Sequence, residues 1–209
     1  MSNQVLAATA TRVLTNEAIM RVNFELSGVL VTGVRYQAVV RAIAAGKITC
    51  EVGVTPDPNL PAGSVAECLY EPQNHRMSFP NEQYGLSSGR EKFNIVHEAT
   101  HALFDCFYGH TGGRQILAIE DESVAWLAEG LFSRISPFFW GGGIMQGDPA
   151  AEALKLADKI MAVPGTFGSH SPAYAVPTAD AAKLRDSIKD AYNLKDGRSG
   201  IVDIYYGLP

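Results

Sequence analysis

Ile95-Val96-His97-Glu98-Ala99-Thr100-His101-Ala102-Leu103 sets two histidines four positions apart, with a glutamate between them, in an otherwise apolar stretch. On an α-helix, residues four apart lie about 40° apart in azimuth and about 6 Å apart in height. His97 and His101 can therefore aim their imidazoles at one point off the helix surface. Two ring nitrogens at about 2.0–2.1 Å from one Zn2+ fill half of a tetrahedral site. Glu98 lies one position round from His97 and is too far off axis to be the natural third ligand. It is within reach of a water on the metal, where a carboxylate acts as general base. The spacing thus supplies a metal site and a base together.

The flanks support the same reading. Steps of about 100° per residue from Asn94 gather His97, Glu98, His101, Asp105 and Tyr108 into a wedge of about 100°. The rest of the circumference carries Phe93, Ile95, Val96, Ala99, Ala102, Leu103, Phe104, Cys106 and Phe107, with Thr100 as the polar exception. A surface helix is polar with one apolar stripe; this one is the inverse. Buried polar groups must be paired or must bind something. Hydrogen-bonded core histidines are the plain alternative, and metal ligation accounts for more of the stripe. Ser88 and Glu91 form a capping box that starts the helix, and Gly109 stops it. Helix resumes near Ile116 or Leu117. His101 lies eight residues before Gly109, and Glu122 lies five or six after the restart. In antiparallel helices joined by a short loop those levels coincide. Glu120 and Asp121 point about 160° and 100° away from Glu122, so only one of the three can face the metal. Glu122 is the choice, with Glu129 two turns further along its face.

From Ser88 to Ser133 the chain resembles the zincin metallopeptidases, whose zinc helix carries H-E-x-x-H with apolar flanks. It departs from the metzincin branch, which continues H-x-x-G-x-x-H, because Phe104 and Phe107 stand at the glycine and histidine positions. The resemblance is to the gluzincin branch, in which a glutamate on a following helix is the third ligand. It implies that His97, His101 and Glu122 hold Zn2+, that Glu98 is the general base, and that the substrate is a peptide or protein. It also implies a small antiparallel sheet beside the zinc helix, with His75–Pro80 as the strand that edges the cleft. Relatives use a Tyr or His for the oxyanion, and His170, Tyr174, Tyr205 and Tyr206 are candidates. One gluzincin pattern places an Asp four residues after the ligand glutamate. Trp126 stands there, which leaves Asp105 or Glu129 to support the ligands.

The remaining sequence sets bounds. A chain of 209 residues fits one compact domain, read as an N-terminal helical segment over 1–47 and a zincin-like catalytic region over 48–209. The expected class is α+β, mostly helical. A formal charge of −5 argues against a nucleic-acid or anionic-membrane partner. Cys50, Cys68 and Cys106 are an odd number without C-x-x-C spacing, which argues against a disulfide framework. No apolar run approaches about 20 residues, and Met1–Val5 lacks the features of a signal peptide, so a soluble, cytoplasmic protein is expected. Residues 1–14 read as irregular. Helices are expected over Glu17–Leu26, Val34–Ala45, Asp148–Met161 and Asp180–Asn193, and strands over Ile48–Thr55, Ser64–Tyr70 and His75–Phe79. Two rivals to a peptidase remain: a non-catalytic zinc-binding or interaction module with no need of Glu98, and a helical interaction protein in which the motif is accidental.

Overall fold

The computed structural model describes residues 2–53, 68–107, 114–136, 148–165, 171–192 and 202–208, and over these the chain is mostly helical with small sheets, an α+β architecture. The first residues are not irregular. Asn3 accepts from the amides of Val5 and Leu6 and so caps α1 (Gln4–Leu14). Leu6, Ala10, Val13 and Leu14 form an i, i+4, i+7, i+8 stripe and are buried. Small residues and threonines between them mask the period in the sequence.

Asn16 caps as expected, but its helix α2 (Glu17–Met20) is a single turn. The expected helix over Glu17–Leu26 gives way to a strand, β1 (Asn23–Leu26), where buried Phe24 and Leu26 flank exposed Glu25. That alternation is a strand signature. β1 turns into β2 (Val29–Thr32) through Ser27 and Gly28, both at positive φ (54° and 75°), as a two-residue hairpin of this hand requires. α3 (Gly33–Ala44) follows, with its exit at Gly46.

The second sheet is built from β3 (Thr49–Val52), β4 (Leu69–Glu71) and β5 (Arg76–Phe79), in the order β3-β5-β4. It is mixed, because β5 runs antiparallel to β4 but parallel to β3. β5 is therefore the central strand, and the expectation that His75–Pro80 edges a cleft is corrected: both of its flanks are already hydrogen-bonded. The edges are β3, whose Cys50 meets Asn3 and Ser2, and β4, which lies against the next helix.

That helix is α4 (Gly89–Phe107), which contains the two histidines. Its capping box is half formed. The Glu91 amide donates to Ser88 Oγ at 3.3 Å, while the Glu91 carboxylate accepts from the Gly85 amide at 2.7 Å. Gly109 and Tyr108 lie outside the described residues, as do His110, His170 and the aromatic loop 137–143. Before the next helix, Arg114–Leu117 forms β6, paired antiparallel with β8 (Val202–Tyr205). α5 (Ala118–Ile135) then packs against α4, α6 (Asp148–Met161) and α7 (Thr178–Ala191). β7 (Tyr174–Ala175) joins β1 in parallel. Buried apolar residues from Leu6 to Tyr205 form one cluster that includes both the first 47 residues and the rest.

The packing of α1 is directly testable. Leu6 is fully buried and Val5 is 49% exposed on the same helix. Leu6→Ala should destabilise the protein by about 2–5 kcal/mol, whereas Val5→Ala should stay within about 0.5 kcal/mol. Equal, small effects in chemical denaturation would contradict the placement of α1 in the core.

Candidate metal centre

α4 presents His97, Glu98 and His101, whose donor atoms lie within 4.8 Å of one another and could hold a metal ion. Both histidines are only 8% exposed. From α5, Glu122 faces the same point: its Oε2 lies 3.4 Å from His97 Nε2 and its Oε1 lies 3.8 Å from His101 Nε2. Two donors on one tetrahedral zinc, with bonds of about 2.0–2.1 Å, stand about 3.3 Å apart. The observed separations are close to that value. Glu120 turns away to Arg185, at 3.3 Å.

The far side of each ring is occupied. His97 Nδ1 lies 3.1 Å from Glu129 Oε2, and His101 Nδ1 lies 2.9 Å from Asp121 Oδ1. An ionised carboxylate can only accept, so each Nδ1 carries a proton and each Nε2 is the nitrogen turned to Glu122. Such outer carboxylates fix the tautomer and orientation of ligating histidines. Of the two supports expected, Glu129 takes the role. Asp105 does not. It is fully buried and accepts from the Tyr70 hydroxyl at 2.7 Å and from the Tyr206 and Gly207 amides at 3.0 and 3.2 Å. Asp121 was missed as a support. The helical wheel asks which residue faces the metal, and not which one reaches behind the ring. Trp126 packs edge-on against His97, with ring centroids 5.1 Å apart. The carboxylate for that histidine comes three residues later.

Glu98 is held differently from the other acids. The Tyr70 amide, on edge strand β4, donates to Glu98 Oε2 at 2.7 Å. A further residue enters from α7: the Tyr192 hydroxyl donates to Glu122 Oε2 at 3.1 Å and accepts from Trp126 Nε1 at 3.3 Å. Nothing in the sequence pattern brings the end of α7 to this point, although Trp126 lies one turn beyond Glu122. Of the tyrosines considered from sequence, Tyr205 donates to Asp121, Tyr206 is 52% exposed, and Tyr174 pairs with β1.

The electrostatics follow from burial and crowding. Burial favours the neutral form of His101, but the charge and hydrogen bond of Asp121, with Glu122 and Glu98 nearby, lift its pKa from 6.5 to about 9. The same opposition, resolved by Glu122 and Glu129, holds His97 well above its ordinary value. Burial pushes Glu98 up to about 7 against the pull of His101, His97 and the Tyr70 amide. Burial also acts to raise Glu122, but His97 and His101 overcome it and hold that carboxyl below its ordinary value.

No protein-family model matches the chain, and no curated protein or solved structure matches it at a significant level. Among the described residues, no helix is long and apolar enough to cross a membrane.

In the metal-free protein, protons on the imidazoles neutralise part of the acidic cluster. A histidine whose pKa is raised on folding contributes stability that is full below its unfolded pKa and is lost as the pH rises through the folded one. The upward shift of Glu98 acts in the same sense. The melting temperature of metal-free protein should therefore fall as the pH rises from about 6.5 to about 9. A melting temperature that is flat or rising across that window would contradict the buried pairing.

Proposed function

We propose that the chain is a zinc-dependent peptidase of the gluzincin-like kind, in which His97, His101 and Glu122 hold the ion and Glu98 is the general base. The observation that supports this most strongly is the convergence of both Nε2 atoms on the Glu122 carboxylate while both Nδ1 atoms are engaged elsewhere. The donor chemistry fits as well. Imidazole and carboxylate suit zinc, and Glu98, Asp121, Glu122 and Glu129 place four carboxylates around two imidazoles. Buried charge of that kind calls for a counter-ion.

When bound, Zn2+ supplies Lewis acidity towards a carbonyl and lowers the pKa of a water. The chain's own residues do the rest. Glu98 Oε2 is tied to the Tyr70 amide, which leaves Oε1 to take a proton from water and return it to the leaving amine. The Tyr192 hydroxyl stands beside Glu122, and its one proton, donated to that carboxylate here, would turn to a developing oxyanion.

The proposal predicts about one zinc per chain in purified, dialysed protein. Glu98→Ala should keep zinc and fold, yet lose at least about 10²-fold in peptide cleavage. A chelator should abolish wild-type activity and zinc should restore it. Zinc-loaded wild type that cleaves nothing in a broad peptide library would leave a binding module instead.

A further inference from the structure

The centre does not end at the two helices. β8 reaches Asp121 with two side chains from one face, since residues two apart on a strand point the same way. The Tyr205 hydroxyl donates to Asp121 Oδ2, and Asp203 makes a further hydrogen bond with the same carboxylate. Tyr205 is 1% exposed, and its ring stacks on Phe104 with centroids 5.1 Å apart, which fixes the direction of the hydroxyl. The other oxygen of Asp121 takes the His101 Nδ1 proton. The next two residues touch the second arm of the centre. The Tyr206 and Gly207 amides both donate to Asp105 Oδ1, helped by the positive φ of Gly207 (79°). Asp105 Oδ2 accepts from the Tyr70 hydroxyl, and the Tyr70 amide holds Glu98.

We infer that Tyr205 is a positioning residue for the metal centre, acting through Asp121 on His101, and that docking of residues 202–207 and metal binding reinforce each other. This rests on the metal-binding part of the function proposed above and not on hydrolysis. The physical reason is that Asp121 is buried and can orient His101 only while its own second oxygen is held. Removing the Tyr205 hydroxyl takes away one of the two holds that β8 has on this carboxylate, and the ring it braces loses alignment. Coupling of this kind is reciprocal, so a metal that needs the strand in place also holds it there.

The test is zinc affinity, read by competition with a chromophoric chelator and without substrate. Tyr205→Phe keeps the stacked ring and should weaken zinc binding by about 10-fold or more, the scale of lost outer-shell support. In an Asp121→Asn background the same change should add less than about 2-fold, because the hydroxyl acts through that carboxylate. Tyr36→Phe is the control. Its hydroxyl makes an equally buried bond to Thr100 on α4, at 2.6 Å, without touching the centre, and its loss should leave zinc affinity unchanged. If Tyr205→Phe does not fold, hydrogen exchange of wild type decides: zinc should slow exchange of the Tyr206 and Gly207 amides. Unchanged affinity in Tyr205→Phe, equal weakening in Tyr36→Phe, or amides indifferent to zinc would overturn the inference and leave the proposed function standing. Wild type that binds no zinc would overturn both. Zinc binding that depends on Tyr205, without peptide cleavage, would support the inference and remove the peptidase reading alone.

Discussion

Two imidazoles buried on an otherwise apolar helix set the terms for the rest of this molecule. Each ring has two nitrogens to satisfy, and the apolar faces of α4 offer them nothing. The partners have to come from α5, as carboxylates. Those carboxylates are buried in turn, and a buried charge without partners costs several kcal/mol. Glu122 therefore draws in Tyr192 from α7, and Asp121 draws in Tyr205 from β8. The network grows outward until it reaches elements far apart in sequence.

The same constraint separates residues of one type into different roles. Glu98 and Glu122 both lie beside the two histidines, yet burial pushes Glu98 up to about 7 while the imidazoles hold Glu122 below its ordinary value. Under the proposed function, environment and not residue identity would divide acid–base work from ligation. A cluster this crowded stabilises the metal-free fold only while its imidazoles hold their protons. A cation that binds only the folded state would supply the missing stabilisation by mass action.

Much of the centre was legible because helices have a fixed period. His97, Glu98 and His101 follow from spacing alone, and the orientation of Glu122 follows from helix length and azimuth. Glu129 was visible as one of two candidates for the same reason. What the period could not show lies across breaks in the helical pattern. Tyr192 and Tyr205 arrive from α7 and β8 through tertiary packing that leaves no local trace. The fold was read with similar limits. α3 and α7 have clear apolar stripes and were found, whereas the alanine- and threonine-rich α1 hides its stripe. β1 was mistaken for helix because Glu17–Leu26 begins with a genuine cap at Asn16. The topology of the second sheet was misread for a different reason: pairing partners are not encoded in the strand itself, so the central place of β5 could not be told from an edge.

The account's central claim is a single cation held between α4 and α5. Diffraction from zinc-soaked crystals, recorded on both sides of the zinc absorption edge, tests it most directly. The account predicts one strong anomalous peak in contact with His97 Nε2, His101 Nε2 and a Glu122 oxygen, with Glu98 outside the ligand shell. No peak at this position, or a peak ligated through Glu98 in place of Glu122, would contradict it.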